Sequence, residues 1–471
     1  MTGTLLLLGA MGAQAGRPIP APPTMEEGAA LLAGQALASD GAWRKLATLC
    51  DTIGHRIAGS PELARAVTWG VETMRAEGLE VHLEPVQVPV WVRGEERVEL
   101  LAPMARPLHA LTIGGSVGTG PEGVEGDVMV VASIEELKAR AGEAAGKLVL
   151  FDVPWEGYGQ AVQFRSRGAS AAAAVGAVGA LVRSPTPTSL ATPHTGALRY
   201  DDASPRVPAV ILTLEDSAWL RRLVERGEVP RVRLVLGAED RGEALSHNVV
   251  GEVRGRVRPE EVVILSGHLD SWDLGQGAQD DGAGCVTAME AGRLLAALPV
   301  PPRRTVRVIL YVNEENGLSG GRAYAGAHAA EVAGIVAAIE ADTGAGQPLG
   351  FSLDLRDPAT GLPDLEVGAR AVATLAPWAP LLRASGAVDL TTGGSGSDIS
   401  PLVALGVPGL GLSQDTSGYW PIHHTAADTL DKVDPTLLAR NAAALAVMGW
   451  LLAEAEEPLP RVGPRISAPA P

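Results

Sequence analysis

Long apolar runs, a cysteine framework and an excess of positive charge are all missing from this chain, and each absence removes a class of protein. No run reaches the roughly 18 apolar residues of a membrane-spanning helix; residues 169–182 come nearest and are too short and too rich in alanine and glycine. Only Cys50 and Cys285 occur, in separate motifs, so no disulfide framework can be read and the redox compartment stays open. Lys and Arg number 38 against 55 Asp and Glu, and the net charge of -17 argues against nucleic acid or an anionic membrane as partner. What is present is 46% hydrophobic residues in 471, too apolar for a disordered chain and too long for one core.

The chemistry lies in five candidate donors in the order His268, Asp280, Glu315, Asp342, His424, with Glu314 directly before the third. Two divalent cations about 3.5 to 4 Å apart each need an imidazole and a carboxylate, and one more carboxylate must bridge them. The three acids among the five bring three negative charges, which two zinc ions and one hydroxide would balance. Mixed imidazole and carboxylate suits zinc, manganese or cobalt and argues against calcium, which prefers oxygen alone. Zinc is the expected ion, and Glu314 is left over as a general base.

The flanking sequence places these donors at strand ends. Residues 262–266 (Val-Val-Ile-Leu-Ser) read as a buried strand running into His268, and 304–312 and 335–339 read as strands that run into Glu314-Glu315 and Asp342. Ligands in open α/β sheets gather beyond the carboxyl ends of strands. Asp270, two residues after His268 and on the same side of an extended chain, is expected to accept the second imidazole N–H and fix its tautomer. Asp280 stands in a glycine-rich turn (Gly277 to Gly284) before a helix-like stretch at 285–298, and His424 precedes a helix-like segment at 435–453.

The stretch 266–284 (Ser-Gly-His-Leu-Asp-Ser-Trp-Asp-Leu-Gly-Gln-Gly-Ala-Gln-Asp-Asp-Gly-Ala-Gly), with Glu314-Glu315, Glu340-Ala341-Asp342, Ser397-Asp398-Ile399 and His423-His424 followed by Asp428-Thr429, resembles the carboxypeptidase Q group. That group belongs to the co-catalytic zinc exopeptidases, which include aminopeptidase Y and glutamate carboxypeptidase II. The resemblance runs from about Leu46 to the final helix with the motifs in order. It implies His268 and Asp342 on one zinc, Glu315 and His424 on the other, Asp280 bridging, Glu314 as base, a cis peptide between Asp280 and Asp281, and a homodimer. The implied substrates are dipeptides or short peptides. A tyrosine precedes the last histidine in some relatives, where this chain has His423, so help from a tyrosine hydroxyl is in doubt here. His423 is expected to be a neighbour of the ligand, Trp272 and Gln276 to fall near the pocket, and His194 has no assigned chemistry. Related folds also host a one-zinc acyltransferase of the glutaminyl cyclase kind and inactive receptor-like scaffolds; intact ligands and base favour hydrolysis.

The implied architecture is α/β: a three-layer zinc-exopeptidase domain with a mixed central sheet flanked by helices, plus an inserted β-rich protease-associated domain. The expected division is a signal peptide at 1–15, an N-terminal extension at 16–34, peptidase parts at 35–96 and 246–457, the insert at 97–245, and a proline-rich tail at 458–471. The insert contains apolar strands at 128–132, 147–152, 209–214 and 232–236, and is expected to cover one side of the site and restrict access to small peptides. The leader reading rests on Leu5 to Leu8 followed by Ala13-Gln14-Ala15, although no Lys or Arg precedes it. It predicts a secreted or periplasmic protein.

Overall fold

A computed structural model describes residues 21–462. The expected leader, residues 16–20 and residues 463–471 lie outside the described residues.

The strand readings around the donors become the centre of an eight-stranded mixed sheet. Its order is Glu80–Val92, Glu239–Val253, Arg304–Tyr311, Arg258–His268, Ile335–Glu340, Gly409–Gln414, Pro348–Asp354, Asp389–Thr392. The four strands from Arg304–Tyr311 to Gly409–Gln414 run parallel. Three of them, Arg304–Tyr311, Arg258–His268 and Ile335–Glu340, are buried along most or all of their length, as cover on both faces demands. Helices Ala283–Ala296 and Pro435–Glu454 cover one face, and Met25–Leu37 packs on them. Pro435–Glu454 begins where the Asp434 carboxylate accepts the amides of Thr436 and Leu437, with proline as its first residue. At 20 residues and a mean hydropathy of 1.4 this helix meets the length and composition of a membrane span, although Arg440 and Asn441 interrupt its apolar residues. It is a core helix, with 78% of its apolar stretch buried inside the protein.

Residues 25–34, expected in a separate extension, belong to this domain. Gly28, Ala29, Leu32, Ala33 and Ala36 of Met25–Leu37 are buried, and the indole N–H of Trp450 donates to the Met25 carbonyl at 3.1 Å. The start of the tail is packed too: Leu459 is buried, and Arg461 donates to the carbonyls of Gly406, Ala333 and Val332.

A second eight-stranded sheet occupies Glu96–Leu236, in the order Arg106–Pro107, Glu96–Ala102, Arg231–Leu236, Val124–Val131, Leu148–Phe151, Gly179–Arg183, Ala209–Leu212, Ala110–Thr112. Helices Ile134–Ala139, Tyr158–Ala174 and Leu214–Glu225 accompany it, so it is less purely β than expected. Tyr158–Ala174 is half alanine and glycine and carries a weak apolar stripe, which hides it from a periodicity reading. Residues 239–245, expected in the insert, instead extend the first sheet's strand Glu239–Val253 alongside Glu80–Val92. Their exposed polar side chains gave no strand signal.

Near the N-terminus, Lys45 is buried between Glu77 and Glu290, its Nζ 2.7 Å from the latter, and Arg293 also contacts Glu290. Burial opposes the charge on Glu290, but Arg293 and Lys45 hold its carboxyl down at about 2. In the unfolded chain a glutamate titrates near about 4.3. The stabilisation is therefore complete above that value and is lost as pH falls towards about 2. Chemical denaturation across this window should show the parent losing stability more steeply than Glu290→Gln, which is weaker at neutral pH; parallel curves would refute the assignment.

Candidate metal centre

The register of three parallel strands brings the donors to one edge. Ser266 pairs with Glu340 and His268 with Tyr311, so Arg258–His268, Ile335–Glu340 and Arg304–Tyr311 end level with one another. The chain leaves them at His268, at Asp342 and at Glu314-Glu315. Asp280 comes from the turn before Ala283–Ala296, where the Asp280–Asp281 peptide is cis, as the resemblance implied. His424 comes from the loop after Gly409–Gln414.

All five expected donors converge. His268 Nε2 lies 3.3 Å from Asp280 Oδ1 and 3.3 Å from Asp342 Oδ1. His424 Nε2 lies 2.9 Å from Glu315 Oε2 and 3.2 Å from Asp280 Oδ2. Asp280 thus stands between two imidazoles, with one oxygen towards each. Glu314 lines the same cavity, of about 460 Å³, half-buried beside them. His423 is closer to the chemistry than expected: its ring stacks on His424 at 3.6 Å and its Nε2 is 3.4 Å from Asp280 Oδ2. Trp272 packs near His424, while Gln276 accepts the Leu430 amide at 2.8 Å. His194 is buried, and burial pushes its imidazole down to about 3, so it is neutral.

Main-chain amides set these side chains. The Asp270 carboxylate accepts the amides of Glu314 at 3.0 Å and Glu315 at 3.2 Å, which fixes where both glutamates start. The expected contact from this carboxylate to His268 is replaced: His268 Nδ1 is 3.0 Å from the main-chain carbonyl of Asp270 and 3.7 Å from its carboxylate. The carboxylate is already taken by the two amides, and it sits behind the donors rather than among them. Asp428 does the same for the Asp280 turn, accepting the amides of Gln279 and Asp280 at 2.7 and 3.1 Å. Glu340 accepts those of Ser397, Asp398 and Ile399.

Asp281 is held in the same way, by the amides of His268 and Gly284, both at 3.0 Å. A Cβ on Gly284 would stand 2.3 Å from Asp281 Oδ1 and 1.8 Å from the Ala341 carbonyl, so only glycine leaves the slot open. Fully buried Arg56 holds the chain between the donors by donating to the carbonyls of Leu269, Gln276 and Gly277.

The electrostatics describe a surplus of negative charge. Burial pushes Glu315 up to about 8 and Asp342 up to about 6. Burial opposes charge on His268 and His424 as well, yet Asp342 and Glu315 beside them hold both imidazoles well above their ordinary value. Asp280, buried too, stays well below the carboxylate range because His268 and His424 face it. Without another cation, protons must serve as the counter-charge. Asp280 Oδ2 and Glu315 Oε1 are buried with no hydrogen bond despite the nearby imidazoles. Donor atoms of Asp280, His423 and His424 lie within 4.8 Å of one another, and so do those of His268, Asp281 and Asp342. Unpaired buried carboxylate oxygens beside imidazole nitrogens fit binding of divalent metal.

The second sheet reaches the centre. His424 Nδ1 is 3.2 Å from the Thr195 carbonyl, and the Thr195 amide donates back to the His424 carbonyl at 2.9 Å. Arg165 Nη1 is 3.3 Å from the same Nδ1. Neither residue was singled out from sequence. Asp281 had a signal in its place beside Asp280; Thr195 and Arg165, more than 200 residues from His424, had none.

Residues 248–448 match Peptidase family M28. Carboxypeptidase Q of Xenopus laevis is 40% identical over 431 residues, covering 91% of this chain and 89% of that protein. The crystal structure of a peptidase M28 precursor from Shewanella amazonensis superposes with a TM-score of 0.87 at 35% identity, over 93% of this chain and 99% of that one. BSAP, a zinc aminopeptidase from Bacillus subtilis, shares the fold at a TM-score of 0.65 and 20% identity, over 90% of this chain and 97% of that one. The chain belongs to peptidase family M28.

Proposed function

We propose that this chain is a di-zinc exopeptidase that hydrolyses dipeptides or short peptides with Glu314 as general base. As an M28 member it is a zinc metallopeptidase; the finer reading rests chiefly on Asp280, one oxygen towards His268 and the other towards His424. That is the disposition of a bridging ligand. Asp342 beside His268 and Glu315 beside His424 complete one donor set each. Imidazole mixed with carboxylate favours zinc over calcium or magnesium.

Zinc, when bound there, supplies the positive charge that acidifies a water and polarises the scissile carbonyl. The chain's own residues do the rest. Glu314, placed by the Asp270 carboxylate through its amide, takes the proton of the attacking water and passes it to the departing amine. Asp270 is a positioning residue. The Thr195 carbonyl orients the His424 ring, as a fixed acceptor does for a zinc histidine.

Residues 97–238 we assign to a protease-associated insert that closes one side of the cavity, with the peptidase domain on either side of it. Relatives named carboxypeptidase Q support action at a chain end. Export and a homodimer are part of the same proposal, the first from Leu5 to Ala15 and the second from resemblance.

Glu314→Gln should retain zinc and lose turnover by about 10²-fold or more. Elemental analysis beside a dipeptide assay checks both halves; near-parental turnover would remove Glu314 as base. Glu315→Ala, in contrast, should lower the zinc content itself, and an unchanged metal-to-protein ratio would take Glu315 out of the ligand set.

A further inference from the structure

The loop between two metal donors and the second sheet meet on one arginine. Arg93 follows strand Glu80–Val92 of the first sheet, three residues before the chain enters the second sheet at Glu96, and it is 8% exposed. Its Nε and Nη2 donate to the two oxygens of the Asp273 carboxylate at 2.8 and 2.6 Å, a fork-on-carboxylate pair. Asp273 stands in the loop between His268 and Asp280. Towards the second sheet the same guanidinium donates from Nη1 to the Thr112 carbonyl and from Nη2 to the Thr195 hydroxyl at 3.2 Å. Lysine, ending in a single point charge, has no comparable fork with which to join these stretches of chain.

Thr195 is where these bonds reach the metal centre. A histidine that binds metal through Nε2 carries its proton on Nδ1 and needs a fixed acceptor there. The Thr195 carbonyl is 3.2 Å from His424 Nδ1, and it orients the ring only as well as Thr195 is itself held. Thr195 lies in irregular chain, and its side chain is held through the hydroxyl, which accepts from Arg93 and is 3.4 Å from the Thr112 carbonyl. The loop that carries Asp273 is secured independently: Arg56 donates to the carbonyls of Leu269, Gln276 and Gly277 on either side of it. The His268 ring rests on the Asp270 carbonyl within that same loop. Asp273 is therefore the fixed end of the Arg93 bridge and Thr195 the end that depends on it, so the bridge bears on His424 and not on His268.

We propose that Arg93 is a positioning residue for one half of the metal centre: braced on Asp273, it holds the Thr195 carbonyl against His424 and so retains the zinc on the His424 side. The inference rests on the di-zinc reading.

The test is removal of zinc by a competing chelator, with metal-to-protein ratios from elemental analysis. The parent should hold two zinc ions per chain. Arg93→Gln should weaken one of them by about tenfold or more, the scale of a lost outer partner of a metal histidine, and leave the other as it was. Single-site backgrounds show which: with Asp342→Ala, which leaves the His424 side, Arg93→Gln should weaken the remaining zinc; with Glu315→Ala, which leaves the His268 side, it should not. Thr195→Val keeps the carbonyl and the volume and removes only the hydroxyl that Arg93 grips; it should shift the same zinc in the same direction, and it carries the test if Arg93→Gln does not fold. Equal weakening of both ions, weakening on the His268 side alone, or parental affinity in Thr195→Val would overturn the proposal. A parent that holds one zinc ion would sink the di-zinc reading, and the role of Arg93 with it only if that ion is indifferent to Arg93→Gln.

Discussion

Everything in this structure answers to one burden: three carboxylates and two imidazoles buried against one another with more negative charge than protons can comfortably balance. An unpaired buried carboxylate costs several kcal/mol, so a cluster of them persists only where cations bind and where the scaffold prevents escape. The scaffold here is mostly main chain. Asp270, Asp281, Asp428 and Glu340 each accept two or more amides, and those amides belong to the segments that carry Glu314 and Glu315, His268, Asp280, and the loop beside Asp342. A second ring of acids thus holds the first through main-chain amides.

The two sheets share this burden. Thr195 exchanges hydrogen bonds with His424, and Arg93 ties the same threonine to the other sheet, donating to Asp273 at 2.6 and 2.8 Å and to the Thr195 hydroxyl at 3.2 Å. Trp272 wedges into the joint so closely that a Cβ on Gly114 would stand 2.1 Å from its ring. The second sheet's region therefore does more than roof the cavity. Its Thr195 carbonyl faces the ring of one of the histidines, and its Thr195 amide holds that residue's main chain.

Much of the site was legible because each donor is announced locally. A buried strand followed at once by His268, by Glu314-Glu315 or by Glu340-Ala341-Asp342 has a recognisable form, and strand ends in a parallel sheet gather by rule. The helix readings at 285–298 and 435–453 were likewise close to the observed Ala283–Ala296 and Pro435–Glu454. What stayed illegible was tertiary. Asp270 could be placed near His268 but not denied its nitrogen, since that depended on the Glu314 and Glu315 amides that the fold brings to its carboxylate. Helix Tyr158–Ala174 lacks an apolar stripe strong enough to declare itself, and the polar first half of Glu239–Val253 hid the part of that strand that pairs with Glu80–Val92.

By itself, then, the order of residues announced the five side chains that come together and the strands that present them, because these follow from side-chain type and from patterns a few residues long. Tertiary structure alone decided the second ring of acids, the stacking of His423 on His424, and the reach of Thr195 and Arg165 across more than 200 residues. The physical reason is range: hydrophobic periodicity is written within one element, whereas a hydrogen bond between distant loops is settled only when two sheets have packed and left one geometry open.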